Sequence, residues 1–169
     1  MVFFIRKRAS AALPSTAAYW YMDDGTTDLF NAIYLGVGLE GGADAGRLGV
    51  IFYSPTGATD FRHVYASDQQ FTANDTWQCA VYTFDGVSAP KIYTNGVLGT
   101  NAQTTGGGSP PAATRWMASN SFPRCVLYTR QYNAPAGTLN SKVSNPFIIN
   151  GVVLTQAQIT NIMSYLPTP

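Results

Sequence analysis

Carboxylates are the first side chains to consider for chemistry, because glycoside hydrolysis uses a pair of them around the scissile bond. On a strand, two residues that act on one side of a sheet must stand two or four positions apart. The chain has one glutamate, Glu40, and its aspartates stand mostly at turn-forming positions. Asp23 and Asp24 are adjacent, so on a strand they would point to opposite faces. The sequence therefore predicts that the protein is not a glycosidase.

Nucleophilic and metal-assisted catalysis also lack the residues that they need. His63 is the one histidine, and no Gly-x-Ser-x-Gly motif or similar nucleophile accompanies it, so we interpret it as a strand histidine. Cys79 and Cys125 have no Cys or His neighbour at metal-ligand spacing. Their apolar, alternating surroundings predict two buried thiols, with a disulfide between neighbouring strands as the alternative. We therefore expect that the protein is not an enzyme and binds no metal ion or cofactor.

Two kinds of side chain could bind a ligand without catalysis. The oxygen-rich stretch Met22–Asp28 could hold Ca²⁺, but its aspartates are equally good turn formers, and we favour the turn. Exposed aromatic rings could stack on a sugar. The candidates are Trp20, Trp116 and Tyr128, and packing in the core of a β-sandwich is the alternative for each.

The composition limits the partners. Charged residues make up 11% of the chain, against roughly 25% in an average soluble domain, which suggests that part of the surface faces a partner. The net charge is +1 and the basic residues are mostly scattered, so we expect no nucleic-acid partner. The first residues lack the pattern of a signal peptide, and no apolar run reaches the roughly 18 residues of a membrane helix. These features predict synthesis in a cytoplasm without membrane insertion.

Short strands separated by turn residues fill most of the chain, at the roughly 8–12-residue spacing of a sandwich or barrel. The predicted strands are Val2–Arg6, Ala17–Met22, Asn31–Leu39, Arg47–Tyr53, His63–Ala66, Trp77–Phe84, Lys91–Thr94, Val97–Asn101, Thr114–Ser119, Cys125–Tyr132 and Pro146–Leu154. Gln103–Ala113 is predicted as a turn-rich connection. Because no helices intervene, we expect one all-β domain over residues 1–169, with residues 1–16 as an N-terminal arm.

One helix is predicted, at the C-terminus. Thr155 can cap its first turn, with Gln158 three residues on, and Pro167 ends it. Its apolar face would carry Ile159, Ile162, Met163 and Leu166.

The most informative stretch is Trp77–Thr100. Its alternating apolar residues lead to Asp85-Gly86, and a second strand leads to Asn95-Gly96, the strongest two-residue signal for a type I′ hairpin. This block resembles the core of laminin-G-like, concanavalin-A-like jelly rolls, in which a Trp opens a strand, Asp-Gly follows it, and the next strand ends in Asn-Gly. Asn150–Thr155, followed by a short helix, is similar to the end of such domains. The resemblance covers about the last half of the chain and implies an all-β, antiparallel jelly-roll β-sandwich with one short C-terminal helix.

Stand-alone domains that resemble this one occur in bacteriophage virions. The resemblance therefore implies a virion structural protein, a capsid decoration protein or a tail- or fibre-associated subunit. Such a protein would lie on the outer surface of the virion and contact other virion proteins and further copies of itself. Met1–Arg8 would then be an arm that adds to the edge of a neighbour's sheet. The alternative is a carbohydrate-binding module that recognises a cell-surface glycan.

Overall fold

The computed structural model describes residues 2–8, 17–23, 33–37, 46–54, 57–69, 77–85, 88–108, 124–127, 142–149 and 151–165. The strands in these ranges are β1 (Val2–Arg8), β2 (Ala17–Asp23), β3 (Ile33–Val37), β4 (Leu48–Ser54), β5 (Gly57–Ala66), β6 (Trp77–Thr83), β7 (Lys91–Thr94), β8 (Val97–Leu98), β9 (Asn101–Gly106), β10 (Arg124–Leu127) and β11 (Lys142–Ile149). A single helix, α1 (Gln156–Tyr165), follows them within the described residues.

The strands form two antiparallel sheets. Sheet A has five strands in the order β11-β1-β6-β7-β8, and sheet B has six in the order β10-β2-β3-β4-β5-β9. Strands that are neighbours in a sheet are often distant in the chain, as in the pairing of β1 with β11 and of β5 with β9. The prediction of an all-β antiparallel sandwich with a short C-terminal helix is confirmed.

Two hydrogen bonds identify the faces on which the sheets meet. The Tyr82 hydroxyl of β6 donates to the carbonyl oxygen of Gly36 in β3, at 3.3 Å. The side-chain amide of Asn101 in β9 donates to the Pro90 carbonyl oxygen before β7, at 2.7 Å. Asn101 is the register partner of Ala66, and direct partners share a face of a sheet, so the Ala66 side of sheet B meets sheet A. The core between the sheets includes Leu35, Leu48, Val50, Phe52, Val64, Ala80, Tyr82 and Ile92.

Helix α1 covers the other face of sheet A. Cys79 and Val81 alternate with the core residues of β6, and so lie on its outer side. They form a second buried cluster with Tyr93, Leu154 and Ile159. Ile162 and Met163 pack against this cluster, as predicted for the helix face, whereas Leu166 lies outside the described residues. Cys79 is a buried thiol, and the side chain of Cys125 is not among those described.

The turn and the cap predicted from the sequence are both present. Asn95 and Gly96 have φ angles of 51° and 81°, which is the backbone conformation that a type I′ hairpin between β7 and β8 requires. At the start of α1, the Thr155 N–H donates to Gln158 Oε1 at 2.8 Å. The Gln158 N–H donates to Thr155 Oγ1 at 3.3 Å, which completes the reciprocal capping box.

The N-terminal residues differ from the predicted arm. Residues 2–8 form β1, which pairs with β11 on one side and with β6 on the other. Both edges of this strand are hydrogen-bonded within the chain, which leaves neither edge for a neighbour's sheet. Residues 9–16 lie outside the described part of the chain.

Three further segments have bounds that differ from the predicted ones. The predicted strand Val97–Asn101 is divided between β8 and β9, because the chain crosses from sheet A to sheet B there. The predicted connection Gln103–Ala113 begins inside β9, and the predicted strand Pro146–Leu154 lies instead at Lys142–Ile149. The predicted strand Thr114–Ser119 falls outside the described residues.

Candidate functional site

The outer face of sheet B is rich in aromatic side chains. Sheet A packs on the opposite face of sheet B, and α1 lies beyond sheet A, so neither of them covers this face. The cross-strand pairs Tyr34↔Ile51, Ile51↔His63 and Tyr53↔Phe61 fix the residues that share it. We call this surface the aromatic face; its rings are Tyr34, Tyr53, Phe61, His63 and Tyr65.

The rings of the aromatic face contact one another across three strands. Tyr34 and Tyr53 meet edge to face, with ring centroids 5.3 Å apart and an interplanar angle of 73°. Tyr53 and Phe61 lie 6.0 Å apart at 53°, and His63 and Tyr65 lie 5.1 Å apart at 33°. These separations are within the range in which aromatic pairs attract each other beyond their buried area. The rings therefore hold one another in a fixed arrangement.

Glycines on the adjacent strands make room for two of these rings. A Cβ atom at Gly106 would overlap three atoms of the Phe61 ring, and a Cβ atom at Gly49 would overlap Nε2 of His63. Each ring thus lies across the backbone of the neighbouring strand, in the space that a side chain would fill. Among the five rings, Phe61 alone is half-buried, and the other four are buried. The Phe61 ring, supported by Gly106 and next to Tyr53, is therefore the ring of this face that reaches solvent.

The electrostatic character of the aromatic face is neutral. Burial lowers the pKa of His63 from 6.5 to about 4, because the charged imidazolium loses its hydration there. His63 is therefore uncharged at neutral pH, in agreement with its interpretation as a strand histidine. The side chains described on this face in β3, β4, β5 and β9 include no Asp, Glu, Lys or Arg.

A polar pair lies on the other face of the same strands. The guanidinium of Arg62 donates to Gln103 Oε1 at 3.2 Å. Arg62 is half-buried and Gln103 is exposed, so this pair lies at the rim of the sandwich beside the strand edge that carries Gly106. It supplies hydrogen-bonding groups near Phe61, but it belongs to a different surface from the aromatic face.

The predicted sugar-binding residues fall largely outside the part of the chain that the structure describes. Trp20 lies in β2, as the register partner of the core residue Leu35, and its side chain is not among those described. Trp116 and Tyr128 lie outside the described residues, as do residues 24–28 of the predicted turn or calcium loop. The role of these residues stays a prediction.

The aromatic face itself was missed at the level of the sequence. A signal for it exists, because Phe61, His63 and Tyr65 alternate with period two and must share one face of a strand. The predicted strand His63–Ala66 began too late to include Phe61, whereas β5 spans Gly57–Ala66. The contribution of Tyr34 and Tyr53 depends on the pairing of β3, β4 and β5, which no local pattern specifies.

The described residues contain neither a candidate metal centre nor a candidate membrane-spanning helix. No three His, Cys, Asp or Glu side chains there lie close enough to hold a metal ion. The described part of the chain contains no helix of the length and apolarity needed to cross a membrane.

Comparison of the sequence with known proteins finds no matching protein-family model and no similar curated protein. Comparison of the fold does find similar structures. The Ruminococcus gnavus IT-sialidase CBM40, a carbohydrate-binding module bound to α2,3-sialyllactose, matches with a TM-score of 0.66 at 9% identity, over 96% of this chain and 81% of that one. Its complex with α2,6-sialyllactose gives 0.61, at 9% identity over 96% and 82% of the two chains.

A second sugar-binding domain has the same architecture. Domain 4 of AbnA, an extracellular GH43 arabinanase from Geobacillus stearothermophilus, in complex with arabinotriose, matches with a TM-score of 0.58 at 15% identity. The match covers 96% of this chain and 65% of that one. At such low identity these likenesses show the lectin-like β-sandwich fold alone. The laminin-G family and a phage origin stay predictions.

Proposed function

We propose that this protein is a carbohydrate-binding domain that binds a glycan on the aromatic face without catalysis. The observation that carries the proposal is the partly exposed Phe61 ring, which lies over Gly106 beside the buried rings of the aromatic face. Ligand sites of this kind combine aromatic surfaces with a few polar groups. The fold is shared with domains that were solved with sialyllactose and arabinotriose, which supports this class of ligand.

The geometry favours binding because the platform is already formed. Phe61 packs against Tyr53 and lies in the space left by Gly106, so its ring loses little freedom when a sugar stacks on it. Preorganisation of this kind raises affinity by lowering the entropy lost on binding. Because the described side chains of the face carry no charge at neutral pH, we expect the C–H faces of sugar rings to supply the main contact. Binding should then change little between low and high salt.

The virion role predicted from the sequence receives no support from the similar structures, which are domains of a sialidase and an arabinanase. The sugar-binding alternative fits them better. A location on a virion and contacts with other virion proteins stay predictions. Binding without turnover agrees with the lack of paired carboxylates in the sequence.

A glycan array with the full chain, followed by calorimetry on the best ligand, tests the proposal. Phe61→Leu keeps an apolar side chain but removes the ring, and it should weaken binding at least tenfold, about 1.4 kcal/mol. Phe61→Tyr should retain binding. Val97→Ala, at an exposed position of sheet A, is the matched control and should have no effect. The proposal fails if no glycan binds, or if a folded Phe61→Leu variant binds as tightly as the natural protein.

A further inference from the structure

The edge strands of the two sheets differ in how well they are protected from pairing with another chain. Proteins protect such edges by short length, proline, charge or an irregular register. β8 has two residues. β11 contains Pro146, and its register against β1 shifts between Phe4 and Arg6. β10 has four residues and begins with Arg124.

β9 has none of these protections. It is six residues long, Asn101–Gly106, with no proline and no charged side chain. Its register against β5 runs without a shift from Ala66↔Asn101 to Phe61↔Gly106. Four of its residues are exposed and two are half-buried, so the strand faces solvent along its length. A regular, open edge of this kind is a template for another strand.

We propose that β9 is a dimerisation edge, which pairs antiparallel with β9 of a second copy of this chain. The residues of β9 are uncharged, so pairing the strand with itself brings no like charges together. The Thr and Gln side chains of the two copies could lie opposite one another, as polar pairs do on adjacent strands. Arg62 and Asp60 are the charged residues of β5 beside this edge. Both are engaged within their own chain, because Arg62 donates to Gln103 and Asp60 Oδ1 accepts a hydrogen bond from the Gly108 N–H at 3.0 Å. A net charge of +1 opposes the approach of two copies only weakly.

The length of the strand sets the strength of this dimer. Six residues extend about 20 Å, and a contact of that length buries less than the roughly 1,200 Å² of a stable interface. We therefore expect a monomer–dimer equilibrium that depends on concentration, with a dissociation constant on the order of 100 μM. A two-fold axis between the strands would join the two six-stranded sheets into one continuous sheet.

The dimer also has a consequence for ligand binding, which depends on the function proposed above. Antiparallel pairing about a two-fold axis perpendicular to the sheet keeps both aromatic faces on the same side. Phe61 of each copy would lie one strand away from the seam, because β5 is the neighbour of β9. Two platforms on one surface would bind a multivalent glycan more tightly than one platform.

Sedimentation velocity of the full chain, from about 10 μM to about 1 mM, tests the dimer. Thr104 is exposed near the middle of β9, so Thr104→Lys places like charges near the two-fold axis and should raise the dissociation constant at least about tenfold. Thr104→Glu should do the same. An equimolar mixture of the two variants should dimerise again, because the charges are then opposite. Ser164→Lys, on the exposed side of α1, is the control and should leave the equilibrium unchanged.

Three results would overturn the proposal: a natural protein that stays monomeric up to about 1 mM, dimers that persist in both Thr104 variants, or a mixture that stays monomeric. Near-UV circular dichroism checks that each variant is folded. If either Thr104 variant fails to fold, Thr105→Lys and Thr105→Glu place the same charges at the next exposed position and replace it. Glycan binding by a protein that stays monomeric up to about 1 mM would leave the proposed function intact while excluding the dimer.

Discussion

The imidazole of His63 in β5 lies directly over the backbone of Gly49 in β4, so closely that a Cβ atom at Gly49 would overlap Nε2 of the ring. A glycine inside a strand usually weakens it, because it contributes no side chain to packing. Here the His63 ring occupies the space that a side chain at Gly49 would fill. The two residues are therefore complementary, although 14 positions separate them in the sequence and neither suggests the other.

Replacing Gly49 with alanine should destabilise the fold. The added Cβ atom forces the His63 ring out of its position between Gly49 and Tyr65, and overpacking of this kind costs about 1–3 kcal/mol. Urea unfolding measures the change. Gly108→Ala is the matched control, because no atom lies within 4 Å of the position that its Cβ would take, and it should change stability by less than about 0.5 kcal/mol. Equal stability of the two variants would contradict the packing described for His63.

His63 should also make the stability depend on pH. Burial lowers the pKa of His63 from 6.5 to about 4 in the folded state, so between these values the unfolded chain binds more protons than the folded one. The free energy of unfolding should therefore fall as the pH drops from 6.5 to about 4, by about 3 kcal/mol in total. His63→Phe keeps a ring over Gly49 but does not titrate, and it should remove most of this fall.

Urea unfolding at intervals from pH 7 to pH 4 measures both proteins. A slope of the same size in the natural protein and in His63→Phe would show that other groups cause the pH dependence. Asp68 also has a lowered pKa, but because its usual value is 3.8, its contribution to the pH dependence falls mainly below about pH 4.

Local chemistry explains which parts of the fold could be predicted. The hairpin at Asn95-Gly96 requires positive φ at both positions, and Asn and Gly are the residue types that adopt positive φ most readily. The cap of α1 is similar, since Thr155 and Gln158 satisfy each other's backbone N–H groups. Neither feature depends on a distant part of the chain.

β1 and β9 show why other parts of the fold could not be predicted from the sequence. β9 reads Asn-Ala-Gln-Thr-Thr-Gly, without apolar alternation, because it is an exposed edge strand that β5 holds through the backbone. β1 looks like a free end in the sequence, and its partner β11 lies more than 130 positions later in the chain. The aromatic face could not be predicted for the same reason, because its rings come from three strands whose register is fixed only in the assembled sheet.

Asp68 should stabilise the connection between β8 and β9 in a way that acid removes. Its carboxylate accepts hydrogen bonds from the Thr100 hydroxyl at 2.6 Å and from the Thr100 N–H at 2.8 Å. These two bonds, the hydroxyl first, lower the pKa of Asp68 below its usual 3.8. The unfolded chain therefore takes up the proton at higher pH than the folded chain does. The stabilisation is present above pH 3.8 and is lost as the pH falls through the lowered pKa.

Thr100→Val removes the hydroxyl donor and keeps the backbone donor. An NMR titration of the Asp68 carboxyl should show its pKa rising toward the usual value in this variant, and the protein should be less stable at pH 7. Thr104→Val, an exposed threonine in the neighbouring strand, is the control and should leave the pKa of Asp68 unchanged. A pKa unaffected by Thr100→Val would mean that the hydroxyl bond does not hold the carboxylate.

Replacing Asn95, the first residue of the turn between β7 and β8, should cost less stability with glycine than with alanine. Asn95 Oδ1 accepts a hydrogen bond from the Cys79 N–H at 2.8 Å, which ties the turn to β6. Asn95→Gly removes this bond but suits the φ of 51°, so it should cost the bond alone, about 1–3 kcal/mol. Asn95→Ala adds the cost of a left-handed backbone, roughly 1–2 kcal/mol more. Urea unfolding of the two variants measures the difference.

Gly96→Ala combines two penalties. Its φ of 81° disfavours any side chain, and its Cβ would lie 2.9 Å from the Met163 sulfur of α1. Met163→Ala removes the sulfur, so in that background the cost of Gly96→Ala should fall to the backbone penalty of roughly 1–2 kcal/mol. An unchanged cost in the double variant would show that the helix does not restrict the turn. A smaller cost would show that α1 packs against the hairpin closely enough to require glycine at position 96. The Met163 sulfur would then be the atom that the added Cβ at position 96 contacts too closely.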